Sequence, residues 1–363
     1  MRNITIPLLL LSNPLAAIKV PEPKLPLPPR VYVCHRTPQP IIVDGIPGEA
    51  SWQKADWTEP FVDIEGSTAP KPRFATRVKM LWNDEYFYFA AELEEPDVWA
   101  TLTARDSIIY RDNDFEIFID PDGDTHLYGE LEINALNTVW DLFLVRPYRD
   151  GGPAIHSWDI QGLRTAVHVD GTLNDPKEKD RGWSIEVAIP WDVLKECVPG
   201  KKPLPSAGDQ WRVNFSRVEY SVEVKDGRYQ KAVNPSTGKP LPEANWVWSP
   251  QGLINMHYPE MWGYVQFSAN PVGTTKDEFR PNPEERVKWA LRKIYYRERA
   301  YLAEHGSFSD NLEALKLDTD QDLRISGWSF PPLLQKTDSQ FEAVYSGPFG
   351  SSWHIRQDGL VWK

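Results

Sequence analysis

The residues with the densest chemistry run from 110 to 124, Y-R-D-N-D-F-E-I-F-I-D-P-D-G-D. Glu116 stands at the centre, with Asp112 and Asp114 before it and Asp120, Asp122 and Asp124 after it. Carboxylates in this number hold a cation, accept hydrogen bonds from a ligand, or cap turns. Asp120, Asp122 and Asp124 alternate across a turn at Gly123, a spacing that suits calcium, which takes about six or more oxygens. An acidic solvated turn is the alternative. Asp318, Asp320 and Asp322 repeat the spacing, but Leu323 stands where an EF-hand needs glycine and Ser329 where it needs glutamate. Further on, Glu130, Glu132 and Asn134 share one face of a strand. On a concave face they line a polar groove; on a solvent face they are ordinary wet sheet.

Glu116 and Glu132 are also the pair to test for glycoside hydrolysis, which needs carboxyl groups about 5–10 Å apart across a bound sugar. No G-x-S-x-G, H-E-x-x-H, Walker loop or Rossmann glycine pattern occurs, and His126, His156, His168 and His257 are not at metal-ligand spacing. A haem reading rests on Met256 or Met261 with His257 in one loop as axial ligands; core methionines and a loop histidine are the alternative. The chain holds 16 Trp and 14 Tyr. Most of these suit core packing, and a few suit platforms for the apolar faces of sugar rings.

The 363 residues suggest two domains, and 41% hydrophobic with 25% charged residues is ordinary globular composition. A net charge of -12 leaves no basic excess for phosphates and argues against nucleic acid. Residues 1–17 combine a basic start, an apolar run from Ile4 to Leu11 and small residues at Ala16 and Ala17, the pattern of a secretory signal peptide. This predicts an exported protein, periplasmic or extracellular. No later segment has about 18 uninterrupted apolar residues, as a membrane span requires. With export, Cys34 and Cys197 form a disulfide or stay as two separately buried thiols.

The elements that must position these groups are mostly strands. A Pro-rich arm occupies 18–37, with a first strand at Val31–Cys34. Ile41–Val43 reads as a strand, Asp44-Gly45 as a turn and Glu49–Trp52 as a helical turn that plugs Trp52 into the core. Strands follow at Val78–Trp82, Tyr86–Leu93, Phe115–Asp120, Tyr128–Ala135, Thr138–Val145, Leu163–Val169, Trp183–Pro190, Gln210–Glu219 and Tyr264–Phe267. Asn83-Asp84-Glu85 makes the first hairpin, and Trp191–Lys195 reads as a short helix. This predicts an all-β, antiparallel, jelly-roll-like sandwich over 38–268. A polar linker at 269–282 leads to a small α+β unit at 283–363: a helix from Pro283 to His305, ended by Gly306, then strands at Phe341–Tyr345, Trp353–Gln357 and Leu360–Trp362.

Five pieces in order give the first region a family likeness: I-I-V-D-G-I-P-G-E-A-S-W at 41–52, V-K-M-L-W-N-D-E-Y-F-Y-F at 78–89, D-N-D-F-E-I-F-I-D at 112–120, W-S-I-E-V-A-I-P-W at 183–191 and P-E-M-W-G-Y-V-Q-F at 259–267. The region resembles the family 9 carbohydrate-binding modules. The resemblance implies a distorted jelly-roll sandwich that binds saccharide or polysaccharide without catalysis and carries structural calcium. It implies a slot of two aromatic rings plus polar groups. One ring position matches Tyr110, six residues before the strand glutamate, Glu116. The other matches the neighbourhood of Met256, and a basic position matches Glu132, so both of these depart from the pattern. Trp246, Trp248, His257 and Tyr258 can supply a ring from the same loop. The unit at 283–363 loosely resembles the globular heads of pilin-like proteins, a likeness that carries no functional residues.

Overall fold

A computed structural model describes residues 20–24 and 29–363 of the protein. The signal-peptide segment 1–17 and part of the Pro-rich arm lie outside the described residues. Among the described residues two compact units emerge, one of residues 23–24, 29–148 and 152–280, the other of 20–22, 149–151 and 281–363.

The larger unit contains β1 (Val31–Arg36), α1 (Ala50–Lys54), β2 (Val62–Asp63), β3 (Thr76–Trp82), β4 (Tyr86–Glu94), β5 (Asp114–Asp120), β6 (Tyr128–Asn134) and β7 (Val139–Leu144). It continues with β8 (Ala154–Ile155), β9 (Arg164–Asp170), β10 (Gly182–Pro190), β11 (Gln210–Glu219), β12 (Val222–Lys225), β13 (Arg228–Lys231), β14 (Ala244–Val247) and β15 (Gly263–Pro271). The main sheet runs β8-β7-β6-β5-β11-β15-β1-β3-β4-β10-β9, with β14 and β2 branching from β11. It folds back on itself as a sandwich. Phe115 and Ile117 of β5 share one core with Phe87 and Phe89 of β4 and Ile185 and Val187 of β10. Phe89 meets Phe215 edge-on across that core, with ring centroids 5.7 Å apart. The period-2 alternation of β5 therefore sends Phe115, Ile117 and Ile119 inward and Glu116 and Phe118 to the opposite face.

Local chemistry accounts for the joints. Asn83 Oδ1 accepts from the Glu85 and Tyr86 amides (2.9 and 2.8 Å), which closes the β3–β4 hairpin. Asn137, with φ of 58°, turns β6 into β7. At the Asp44-Gly45 turn, Glu186 of β10 accepts from both backbone amides (3.0 and 2.9 Å) and from Trp52 Nε1 (2.7 Å). One buried carboxylate thus fastens the D-G-x-x-x-x-x-x-W piece to the sheet. Gly45 has φ of +90°, and a Cβ there would sit 2.8 Å from the His168 backbone nitrogen.

Two expectations change. Ile41–Val43 forms no strand: Ile42 donates its amide to Glu49 Oε1 (2.9 Å), so its hydrogen bond goes to a side chain and not to a ladder. Residues 191–197 wind as a 3-10 turn. Of the two alternatives for the cysteines, separately buried thiols are what the structure shows: Cys34 and Cys197 are free, each in the main core. Within the otherwise antiparallel arrangement, β1 pairs in parallel with both β15 and β3. Short strands β2, β8, β12, β13 and β14 have too few residues for alternation to reveal them. Beyond β15, the polar stretch turns back on the sandwich. Gln266 Nε2 donates to the Glu278 carbonyl (3.0 Å), and Asn270 Nδ2 to Asp277.

The smaller unit consists chiefly of α2 (Glu285–His305) and a sheet of β16 (Leu333–Lys336), β17 (Phe341–Ser346), β18 (Ser352–Arg356) and β19 (Val361–Trp362). Gly306 closes α2 in the left-handed conformation, its amide donating to the Leu302 carbonyl (2.8 Å). Val287, Leu291, Ile294 and Leu302 form the buried stripe of the helix.

Candidate functional site

β5 and β6 build the site because both carry acids on the face turned away from the main core. Their register sets Glu116 opposite Glu132, Phe118 opposite Glu130 and Asp114 opposite Asn134. Oxygens of Asp114, Glu116 and Glu132 lie within 4.8 Å of one another. Glu116 is 5% exposed and Glu132 2%. The face of Glu130, Glu132 and Asn134 is therefore enclosed and is not a wet sheet surface. Asp114 Oδ1 accepts from the Val218 amide (3.1 Å), and Glu132 Oε2 from the Tyr110 amide (2.9 Å). Burial first, then mutual repulsion, pushes the carboxyls of Asp114, Glu130 and Glu132 well up. Burial raises Glu116 to about 7.

Aromatic groups rim this floor. Tyr110 is 42% exposed, on a 3-10 turn that Tyr220 holds by donating its hydroxyl to the Tyr110 carbonyl (3.1 Å). Trp140 of β7 lies opposite Glu132, 6.3 Å from the Tyr110 ring, and stacks on His156 at 5.6 Å. Tyr148, 44% exposed, meets His257 edge-on at 4.5 Å. Its hydroxyl is pushed up to about 12 by burial and then by the charges of Glu130 and Glu132. His257 Nδ1 is 2.9 Å from the Tyr128 hydroxyl. An enclosed acidic floor beside the exposed rings of Tyr110 and Tyr148 can stack a pyranose and accept its hydroxyl hydrogens.

Several expected site residues stand elsewhere. Trp246 and Trp248 pack in the main core, on the other side of the sheet; Trp246 lies against Arg217 (5.2 Å) and Trp248 against Phe215 (5.8 Å). They cannot wall the slot. Met256 does lie on the acidic side, packed in the cluster that contains Phe118 and Trp262, but its side chain offers no ring. Tyr258 and Met261 are buried. Tyr148 and His257 supply the rings on that side, with Trp140 and His156 near Tyr110. Trp140 was legible in principle, since it alternates with Leu142 and Leu144 on β7. Tyr148 and His156 carry no local pattern.

Asp120, Asp122 and Asp124 converge within 4.8 Å of one another. Asp120 accepts from the Gly123 and Thr125 amides (2.9 and 3.0 Å), Asp124 from the His126 amide (2.7 Å), and Asp122 pairs with Lys201 (3.1 Å). These bonds build the turn. Burial, then Asp120 and Asp122, raises Asp124 to about 8. In the smaller unit, Lys293 pairs with both Asp320 and Asp322 (3.0 and 2.6 Å), and Asp320 caps the turn that follows.

A family model described as "Carbohydrate family 9 binding domain-like" matches residues 43–233. The chain belongs to this family. Membership supports a carbohydrate-binding role. The match takes in both strands of the acidic floor; β14 and β15 extend the same sheet beyond its end. Among solved structures, a family 9 carbohydrate-binding module from Caldicellulosiruptor kristjanssonii in complex with cellotriose is similar at 16% identity and a TM-score of 0.42, covering 69% of this chain and 100% of that one. The module from that organism in complex with glucose is similar at 16% identity and a TM-score of 0.41 over the same shares. A proposed carbohydrate-binding protein from Bacteroides uniformis is similar at 15% identity and a TM-score of 0.48, covering 66% of this chain and 100% of that one. No curated protein matches the chain.

Proposed function

We propose that the protein is an exported saccharide-binding protein whose slot lies over β5, β6 and β7. The observation that carries this reading is the pair of exposed rings, Tyr110 and Tyr148, beside the enclosed carboxylates of β5 and β6. Tyr110 and Trp140 stack on one side of the pyranose, and Tyr148 and His257 close the other. Glu116 and Glu132 accept from its hydroxyls. Export rests on the basic and apolar start of the chain; among the described residues no helix is long and apolar enough to cross a membrane.

The test is a glycan array followed by calorimetry on the hits, with cello-oligosaccharides included. The expected result is saturable binding to at least one glycan that Tyr110→Ala weakens. Absence of binding to every glycan, with and without calcium, defeats the proposal. Release of reducing sugar, lost in Glu116→Gln, would make the chain an enzyme instead. Fractionation of cells expressing the full chain tests export; a protein retained in the cytoplasm contradicts that part.

A further inference from the structure

Elsewhere among the described residues of the larger unit, buried acids have a cation or several hydrogen-bond donors beside them, as four sites show. Glu95 and Glu219 share Arg217 (2.7 and 2.9 Å). Asp112 accepts from the Thr101 amide and hydroxyl and from the Leu102 amide (2.7, 2.8 and 2.8 Å). Glu186 accepts three N–H groups. Asp141 pairs with Arg105 and accepts from the Ile160 amide.

The floor of the slot is the exception. Asp114, Glu116, Glu130 and Glu132 are all at most 5% exposed, and none forms an ion pair with a Lys, Arg or His among the described residues. Asp114 Oδ2 and Glu130 Oε2 are buried without any hydrogen-bond partner. Keeping neighbouring carboxyls ionised in such a place, with no cation beside them, is among the most expensive things a fold can do. The family resemblance places a basic residue at position 132; this chain places another acid there. A cation bound from solution would supply the positive charge that no Lys, Arg or His among the described residues brings to these acids.

We propose that Asp114, Glu116 and Glu132, with Glu130 beside them, hold a hard divalent cation at the floor of the slot. The spacing fits. Oxygens each about 2.4 Å from one ion are at most about 4.8 Å apart, and the oxygens of Asp114, Glu116 and Glu132 fall within 4.8 Å of one another. The donor set is all oxygen, which favours calcium or magnesium over the softer metals. The two unpartnered oxygens belong to carboxylates that such an ion would satisfy. This site is distinct from the turn at Asp120, Asp122 and Asp124, whose acids bind backbone amides and Lys201. The ion would share Glu116 and Glu132 with the proposed saccharide slot, but its test contains no sugar, so the two readings fail separately.

The experiment uses the full chain stripped with chelator, titrated calorimetrically with calcium chloride and, separately, magnesium chloride. Melting curves run in parallel, since an ion bound only by the folded state raises the melting temperature. The expected result is submillimolar binding of at least one ion. Glu132→Gln and Asp114→Asn should each weaken it ten-fold or more, while the double variant Asp122→Asn/Asp124→Asn keeps it. Without metal, Glu132→Gln should melt no lower than the natural chain, because it removes a repelling charge; this separates lost ligation from damage to the fold. The proposal fails if neither ion binds below millimolar concentration. It also fails if binding survives Glu132→Gln and Asp114→Asn but disappears in the double variant, which would assign the ion to the other turn. Glucosamine binding that depends on Glu132, with no metal binding, would overturn it in favour of an ammonium ligand.

Discussion

An aromatic ring in this chain means different things in the core and above the acidic face. Trp248 is fully buried against Phe215, whereas Tyr110 is 42% exposed above the Glu116–Glu132 pair. The two rings predict opposite phenotypes. Tyr110→Ala should lower saccharide affinity by about 0.5–1.5 kcal/mol, up to about ten-fold, as loss of one stacked ring does. Its melting temperature should stay within the scatter of the natural chain, because little packing is lost. Trp248→Ala should instead cost about 3–5 kcal/mol of stability through the cavity it leaves. Calorimetry on a bound glycan and urea unfolding, applied to both variants, check this pair. A Tyr110→Ala protein that unfolds early but binds normally would reverse the assignment. The same face logic corrects the reading of the loop at 246–258. Proximity in sequence to the slot did not decide which way Trp246 and Trp248 point; the pairing of β14 with β11 did.

At the scale of elements, the fold depends on a few joints where backbone is held by buried acids. The Asp44-Gly45 turn is the clearest, clasped by Glu186 from β10. Its glycine has φ of +90°, and a Cβ would press on the backbone of Val167 and His168 in β9 at 2.8 Å. Neither strand backbone can give way. Gly45→Ala should therefore cost about 1–3 kcal/mol, the range for forced backbone strain. Gly200 is the control: its φ is +80°, but nothing lies within 4 Å of a Cβ there. Gly200→Ala bears only the conformational cost of the left-handed region, about 1–2 kcal/mol. Urea midpoints should fall further for Gly45→Ala than for Gly200→Ala. Equal midpoints would mean that close approach to β9 adds nothing.

Across the whole molecule, buried carboxyls set the response to pH. Glu186 in the larger unit and Glu298 in the smaller are each raised to about 7, in both cases by burial above all. A carboxyl whose folded pKa lies above its unfolded value keeps a proton that the unfolded chain has released. Stability from such a group is present below the unfolded pKa and is lost as pH rises through the folded pKa. Between about pH 4.5 and pH 7 both glutamates therefore act to lower stability as pH rises. Asp124, raised to about 8, acts in the same direction. The net charge of -12 adds self-repulsion on the alkaline side. In chelator, the melting temperature should be higher at pH 5.5 than at pH 8. A melting temperature that climbs over this interval would contradict it. Glu298→Gln should flatten the dependence, since it removes one of the titrating groups.

What the sequence determines by itself is whatever depends on local spacing. Alternation in β5, β6, β10 and β11 exposes the strands and the face that Glu116 shares with Phe118, because side chains on a pleated strand take opposite faces in turn. Asn83, Asp44-Gly45 and Gly306 mark their turns through short-range bonds and positive φ. The ordered pieces around them carry the family likeness. Only the tertiary structure decides which rings meet over the acids. Tyr148, His156 and His257 reach the slot from three separate loops, and none lies at a spacing that betrays the others. It also decides burial. Glu130 and Glu132 read equally well as wet sheet until β7 and the loops enclose them, because alternation says which face a residue takes and not whether that face is covered.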